Sequence, residues 1–242
     1  MRDGFSFQAG AGGTSLAYAI YLRDMMRERK IRARFVRGGS NQYLTDMLEE
    51  GLTDYILDGQ TFDLEGVRSM RENPGHVNTS PFTSYNWHGK GNFASMLDVT
   101  VLGATEVDVD FNANVVTHSD GKLLHGIGGW QNCLFAKCTI LPIPSFRDRI
   151  PVIVDRVTTI CGPGELIDVI VTERGIAINP LRKDLISAVH GSSLPIVDIR
   201  ELKEEVEGIC GGKPARPELG EKVVAAIKWV DGTVIDGVRA VG

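Results

Sequence analysis

Glycine-rich loops that follow short apolar runs and precede helical patterns constrain the fold of this chain most. Phe5 and Phe7 alternate with small polar residues, and loop 10–15 then leads into a helical pattern. The same order returns with an apolar run at 34–36 and a helical pattern at 43–50. Such alternation of strands and helices is typical of a parallel sheet covered by helices. We therefore predict an α/β fold for the first part of the chain.

Short β-rich runs dominate the chain from Asp98 onward. A helix is predicted to follow them, with Asp198 as its N-cap and an end near Ile209. After a linker at 211–220, an Asp-Gly pair between two apolar runs predicts a β-hairpin over 223–241. We expect a single domain, 1–242, with a mixed, largely parallel sheet flanked by helices. The β-rich runs are 99–102, 106–109, 114–117, 139–141, 152–154, 168–171 and 176–178.

Composition excludes several kinds of site. The 242 residues carry a net charge of -5 with no dense basic block, so we expect no nucleic-acid partner. No apolar run is long enough to cross a membrane and no leader pattern is visible, so we expect no membrane partner and a cytoplasmic location. The cysteines form no C-x-x-C pair and the histidines no H-E-x-x-H spacing, so we predict no metal site.

The first glycine loop is a candidate anion site. Gly10, Gly12 and Gly13 lie between a predicted strand and the start of a helix. Backbone N–H groups at such a helix start favour a phosphate or carboxylate, and glycine lets the anion approach closely. The spacing does not match the full G-x-G-x-x-G pattern, so a purely structural turn is the alternative.

The second glycine loop is a candidate oxyanion hole. Gly126, Gly128 and Gly129 are followed by Trp130 and by the amide of Gln131. N–H donors in such a loop can stabilise the negative charge that develops on a carbonyl under attack. The alternative is a tight turn in which Trp130 is simply part of the core.

Other polar residues are weaker candidates for substrate binding. Asn112 and Asn114 precede the second loop, although Asx-type turns also explain them. Arg147 and Arg174 are isolated charges among apolar runs. With Arg37 they are the arginines that we consider for clamping a substrate carboxylate, and surface ion pairs are the alternative.

Five segments of the chain together resemble citrate lyase alpha chains, and the likeness covers essentially the whole length. The most specific stretches are Ser-Pro-Phe-Thr-Ser-Tyr at 80–85, the run at 103–114 and Gly-Ile-Gly-Gly-Trp-Gln-Asn at 126–132. Alpha chains of that family are longer, and Met1 falls near the start of their second half. The resemblance therefore implies the carboxy-terminal half of such a chain. The five segments are 5–13, 33–51, 56–62, 103–129 and 133–138.

This resemblance implies a CoA-transferase-like fold and a citrate CoA-transferase activity. Citrate would displace acetate from an acetyl acyl carrier protein, giving citryl acyl carrier protein and acetate. The implied partners are the beta subunit and the gamma acyl carrier protein subunit, in an oligomer. No cofactor is expected to be tightly bound in this chain, because the reacting thioester is carried on the phosphoribosyl-dephospho-CoA arm of the carrier, for which free acetyl-CoA is a possible substitute.

The resemblance also indicates a catalytic role for Asp46. More distant CoA-transferases carry a nucleophilic Glu in a segment like T-E-M-x-x-x-G, and this chain has Thr-Asp-Met-Leu-Glu-Glu-Gly at 45–51. Asp46 is one methylene shorter, which argues against the covalent glutamyl-CoA route of those relatives. The resemblance to citrate lyase implies a ternary complex instead. We expect Asp46 to organise the site and Gly128 and Gly129 to contact the carbonyl.

Two other functions are consistent with the residues. The chain could be a binding or assembly module that needs the absent half and catalyses nothing by itself. A sugar-phosphate isomerase of the same broad fold would also explain the glycine loops, but not the segments that resemble citrate lyase.

Overall fold

The computed structural model describes residues 2–10, 13–86 and 91–242, apart from the side chain of Ser15. The chain divides into two compact units. Unit 1 comprises Met1–Leu102 with Phe135–Cys138, and unit 2 comprises Gly103–Leu134 with Thr139–Gly242. The expectation of a single domain over 1–242 stays a prediction, and each unit is described by itself below.

Unit 1 alternates strands and helices, as the sequence predicts. Asn41 caps α2 by accepting hydrogen bonds from two backbone N–H groups, and Asp63 caps α3 by accepting from the N–H of Gly66. The elements are β1 (Phe5–Ala9), α1 (Gly13–Arg29), β2 (Ala33–Ser40), α2 (Gln42–Glu49), β3 (Ile56–Thr61), α3 (Leu64–Glu72), β4 (His76–Asn78), α4 (Pro81–Tyr85), a 3-10 turn at Ala94–Met96 and β5 (Val99–Val101).

The strands of unit 1 form a parallel array in the order β5-β1-β2-β3-β4. Successive side chains point to opposite faces. One face, with Phe7 and Val36, packs against α1 and α2 through Met26 and Met47. The carboxyl ends of all these strands meet at one edge of the sheet, where ligands bind in open α/β sheets.

The other face of this array buries a smaller cluster. Phe35, Leu57 and Leu97 are buried together, and Phe93 and Ala136 pack against them. Unit 1 therefore buries apolar side chains on both faces of its sheet, as parallel sheets covered by helices do.

Unit 2 contains the β-rich runs from 106 onward, whereas the run at 99–102 gives β5 of unit 1. Strand β8 pairs with β12 in parallel and β12 with β13 antiparallel, so the strand pairing of the chain is mixed and mostly parallel. The elements are β6 (Glu106–Asp108), β7 (Ala113–Asn114), α5 (Trp130–Cys133), β8 (Cys138–Pro142), β9 (Phe146–Arg147), β10 (Ile150–Pro151), β11 (Ile153–Val154), a 3-10 turn at Gly164–Leu166, β12 (Val169–Val171), β13 (Ile176–Ile178), α6 (Lys183–Val189), α7 (Ile199–Cys210), β14 (Leu219–Lys228) and β15 (Val234–Val241).

Two terminal elements follow the sequence patterns closely. Asp198 caps α7 by accepting from the N–H of Arg200, and Gly211 ends the helix in the left-handed conformation. Strands β14 and β15 pair antiparallel around Gly232, which has a φ of +93°. The hairpin begins at Leu219, because Leu219 already pairs with Val241.

The predicted strand at 114–117 is shorter in the structure. Strand β7 ends at Asn114, whose side-chain oxygen accepts from the N–H groups of Val116 and Thr117. This Asx-type turn competes with the ladder and ends it.

Among the described residues, no helix is long and apolar enough to span a membrane.

Candidate functional site

The first glycine loop lies at the carboxyl end of β1 in unit 1. The N–H of Gly10 donates to the carbonyl of Val101 at 3.0 Å, so this glycine extends the sheet contact between β1 and β5. Gly13 is the first residue of α1, and a side chain at this position would meet open space. Gly12 lies outside the described residues. The described part of the loop thus places Gly13 at the start of a helix, where anions are favoured.

Asp46 lies on α2, and its carboxylate forms an ion pair with Arg23 of α1. Its Oδ2 is 2.7 Å from Nη1 of Arg23. One helical turn further, Arg27 pairs with Glu50, with Nε 2.7 Å from Oε2. The two ion pairs lie along one seam between the helices. The carboxylate predicted to organise the site therefore also holds α2 against α1.

A buried carboxylate, Asp58, joins the ends of β2 and β3, and sequence reasoning missed it. Its Oδ2 accepts from the hydroxyls of Ser40 at 2.8 Å and Thr61 at 2.7 Å, and Oδ1 accepts from the N–H of Gln60 at 2.8 Å. Nε2 of His76 lies 3.5 Å from Oδ2. The available signal was an Asp directly after a buried apolar run, at the strand end where functional groups gather.

Burial and hydrogen bonding act in opposite directions on Asp58. Burial by itself raises the pKa of this carboxyl, but the nearby His76 ring and the hydrogen bonds from Thr61, Ser40 and the Gln60 N–H outweigh it and lower the pKa to about 2. Asp58 is therefore ionised at neutral pH, and it fixes the loops that leave two neighbouring strands.

Arg37 is fully enclosed beside this edge of the sheet. Its guanidinium stacks over the ring of Tyr85 at 4.8 Å, and Nη1 donates to the carbonyl of Ser84 at 3.4 Å. No described residue accepts from Nε or Nη2. Of the three candidate arginines, Arg37 thus keeps donors that its described neighbours leave unpaired.

The second glycine loop, in unit 2, is anchored by two side-chain hydrogen bonds. Nε1 of Trp130 donates to the carbonyl of Gly103 at 2.9 Å, and Nε2 of Gln131 donates to that of Cys161 at 2.8 Å. The N–H groups of Gly128 and Gly129 donate to none of the described residues. Gly128 needs its glycine, because its φ is +60°. The loop therefore presents two fixed, unpaired N–H donors.

The two predicted asparagines are engaged within the protein. Asn114 is buried, and its Nδ2 donates to Glu106 at 3.1 Å and to the hydroxyl of Thr117 at 2.8 Å. Asn112 donates to Asp108 at 3.2 Å and accepts from the N–H of Gly164 at 3.0 Å. Both amides thus organise the turn between β6 and β7.

Arg147 and Arg174 also have protein partners. Arg147 donates to the carbonyls of Thr105 at 2.9 Å and Ala104 at 3.0 Å. Burial lowers the pKa of its guanidinium. Arg174 pairs with Glu205 at 3.1 Å and stacks on Phe146 at 5.8 Å. Neither side chain offers a free bidentate face to a carboxylate.

Several predicted residues of unit 2 converge on one short segment, 103–105. Trp130 donates to the carbonyl of Gly103, and Arg147 donates to the carbonyls of Ala104 and Thr105. The N–H of Thr105 in turn donates to the carbonyl of Asn114 at 2.8 Å. The structure thus brings Asn114, Arg147 and the anchor of the second glycine loop together.

Within the described ranges, no group of three His, Cys, Asp or Glu side chains is placed to hold a metal ion.

Comparisons with known proteins identify relatives along the whole chain. The sequence model of the family described as "Citrate lyase, alpha subunit" matches residues 1–241. The citrate lyase alpha chain of Klebsiella pneumoniae is 41% identical over 241 residues, which are 99% of this chain and 47% of that protein. The chain thus spans about half the length of the curated relatives that it matches.

Among solved structures, too, the chain is similar to an alpha subunit of citrate lyase. A putative alpha subunit of citrate lyase from Streptococcus mutans, in complex with citrate, has a TM-score of 0.96 and 42% identity, covering 100% of this chain and 48% of that one. The alpha subunit of a malonate decarboxylase from Acinetobacter baumannii has a TM-score of 0.57 and 16% identity over 86% of this chain and 48% of that one, a likeness of fold alone. The CoA-transferase-like α/β fold predicted from the sequence is confirmed.

Proposed function

The chain belongs to the citrate lyase alpha subunit family, and on that premise we propose that it forms the carboxy-terminal part of a citrate CoA-transferase. The reaction is the exchange of acetyl for citryl on a carrier thioester, in which acetyl acyl carrier protein and citrate give citryl acyl carrier protein and acetate. The carrier is the gamma acyl carrier protein subunit, with its phosphoribosyl-dephospho-CoA arm. A beta subunit would use the citryl thioester.

The observation that carries this proposal is that no described residue accepts from the N–H groups of Gly128 and Gly129 in the second glycine loop. An acyl exchange on a thioester develops negative charge on a carbonyl oxygen, and N–H donors that are already fixed in place stabilise it without reorganisation. The N–H groups of Gly128 and Gly129 are unpaired among the described residues, and Trp130 and Gln131 hold the loop by hydrogen bonds.

We propose that the exchange proceeds in a ternary complex. A citrate carboxylate attacks the acetyl carbonyl, the thiolate leaves, and a mixed anhydride of citrate and acetate forms. The thiolate then attacks the citryl carbonyl, and acetate leaves. Holding the reactants together can contribute about 7 to 11 kcal/mol at best, and each oxyanion donor about 3 to 4 kcal/mol.

In this scheme Asp46 organises the site and forms no covalent bond. Its ion pair with Arg23 supports this assignment, because a carboxylate held by a guanidinium at 2.7 Å is a weaker nucleophile than a free one. Gly10, Gly12 and Gly13 are proposed to lie near the substrate or the pantetheine arm. Asn112, Asn114, Gly126, Gln131, Arg147 and Arg174 are proposed to shape the site through the contacts described above.

We expect Asp46→Ala to lower the exchange rate only modestly, by less than about tenfold, because it removes an ion pair that is partly exposed and worth about 1 kcal/mol or less. Glu50→Ala is the matched control, since it removes the neighbouring pair with Arg27 on the same seam. Both variants should have similar melting temperatures, and Glu50→Ala should lower the exchange rate less than Asp46→Ala does. A rate loss of several thousandfold in Asp46→Ala alone, or an acyl or CoA adduct on Asp46 found by mass spectrometry, would contradict the scheme.

The proposed activity is tested by the citrate-dependent release of labelled acetate from acetyl-CoA. The chain is assayed alone and after mixing with a separately expressed amino-terminal half of a family alpha chain. Activity only after mixing would mean that the other half completes the site. Activity of the chain alone would place the catalytic groups within these 242 residues. Failure in both assays, with binding to other citrate lyase subunits retained, would favour an assembly module.

A further inference from the structure

A cleft in unit 2, apart from both glycine loops in the sequence, is lined by three arginines. Its volume is about 280 Å³, and Arg156, Arg216 and Arg239 line it together with Asp236. Arg156 precedes a buried stretch, and Arg239 lies on β15 of the terminal hairpin. Apolar side chains of Val157, Pro217 and Leu219 complete the lining.

The positive charge of this cleft is not neutralised by its own acidic groups. Asp236 accepts from the N–H groups of Ile160 and Gly237, both at 2.7 Å. Among the described residues, neither Arg156 nor Arg239 has an ion-pair or hydrogen-bond partner for its guanidinium, and both side chains are exposed. Two free guanidinium groups thus face solvent at one cleft of a chain whose net charge is -5.

The third arginine ties the cleft to the network of the candidate site. Nη1 of Arg216 lies 3.7 Å from Oε1 of Glu106, and its Nη2 donates to the carbonyl of Arg156. Glu106 is buried, and its Oε2 accepts from Asn114 at 3.1 Å and from the N–H of Thr158 at 2.8 Å. Arg216 is therefore held in place, while Arg156 and Arg239 remain available to a ligand.

We propose that this cleft binds the phosphate groups of the CoA-like arm that carries the acyl thioester. Planar guanidinium groups bind phosphate oxygens in a bidentate manner, and two unpaired ones in a shared cleft match a pyrophosphate or a sugar phosphate. Val157, Pro217 and Leu219 offer apolar surface to the adjoining sugar. This assignment rests on the proposed function, because it takes an acyl-CoA-like molecule as the substrate.

The test is calorimetric titration of the chain with CoA, with pantetheine, which lacks the phosphates, and with inorganic phosphate. We expect the double variant Arg156→Gln/Arg239→Gln to weaken CoA binding at least about tenfold, because it removes both free guanidinium groups. Pantetheine binding should be unchanged. The matched control is Lys222→Gln/Lys228→Gln, which removes the same charge from exposed positions of β14 that do not line the cleft. It should change CoA binding less than the double arginine variant does, since neither lysine lines the cleft and exposed charges are partly screened by salt.

CoA binding that is equal in the wild type and the double variant, or absent from the wild type, overturns the proposal. Inorganic phosphate that binds as tightly as CoA, with the same loss in the double variant, would identify a site for free phosphate and would also overturn it. Citrate-dependent exchange is measured separately. If exchange occurs but CoA binding does not depend on the arginines, the proposed function stands and the role of the cleft is wrong. If CoA binding depends on the arginines but no exchange occurs, the role of the cleft stands and the proposed function is wrong.

Discussion

We expect Asp58→Ala to lower the free energy of unfolding by about 3 to 5 kcal/mol, because it removes the acceptor that three hydrogen-bond donors share. The carboxylate is enclosed at the ends of β2 and β3, and it accepts from the hydroxyls of Ser40 and Thr61 and from the Gln60 N–H. Alanine leaves these donors unsatisfied, at about 1 to 3 kcal/mol for each buried group. Chemical denaturation at neutral pH measures the difference.

The pH dependence of the free energy of unfolding gives a second measure of how much the Asp58 carboxylate stabilises the fold. Its pKa falls from an ordinary 3.8 to about 2 on folding. A group whose pKa is lowered on folding stabilises the native state above its unfolded pKa, and this contribution is lost as the pH falls toward the folded value. At about 1.4 kcal/mol per pKa unit, Asp58 contributes about 2 kcal/mol. Between pH 4 and pH 2 the wild type should lose this contribution, and Asp58→Asn should lack it throughout.

A neighbouring acidic residue provides the control for Asp58. Asp54 forms an exposed ion pair with Arg32, with Nη2 2.6 Å from Oδ1. Exposed pairs contribute about 1 kcal/mol or less, so Asp54→Ala should change the free energy of unfolding within that limit. A loss in Asp58→Ala no larger than the loss in Asp54→Ala would show that the buried network does not hold the two strand ends.

The contrast between Asp58 and the glycine loops shows what the sequence can predict here. Strand, glycine loop and helix follow one another in the local pattern, so loop 10–15 and the start of α1 were predictable. The role of Asp58 depends on Ser40, which comes close only because β2 and β3 are neighbours. Such a pairing between distant positions has no local signal.

The predicted polar residues of unit 2 show the same limit. Arg147, Asn114 and Gln131 were chosen for their chemistry, and the structure places all three in contact with protein atoms. The partners of Arg147 lie at 104 and 105, and the partner of Gln131 lies at 161. A sequence shows which side chains can bind a carboxylate, but the folded chain determines whether its own carbonyl groups have already engaged them.

In the second glycine loop, the N–H of Gly129 is one of the two donors proposed to stabilise the developing charge. We expect Gly129→Pro to reduce kcat for citrate-dependent exchange about 10²- to 10³-fold, as loss of one oxyanion donor does. Proline removes the N–H, and the φ of −84° at Gly129 is close to the value that proline requires. Gly129 is followed by Trp130, whose hydrogen bond to Gly103 should keep the loop in place. The assay is the acetate-release measurement, in the combination of chains that shows activity.

Gly129→Ala is the control that separates the donor from the loop shape. Alanine is compatible with the same φ and keeps the N–H, so kcat should change less than about tenfold while the melting temperatures of the two variants stay similar. The expected loss lies in kcat and kcat/KM together, because an oxyanion donor acts on the transition state and hardly on the bound substrate. Equal losses in the proline and alanine variants would mean that the Gly129 N–H stabilises no developing charge. The catalytic assignment of this loop would then be wrong.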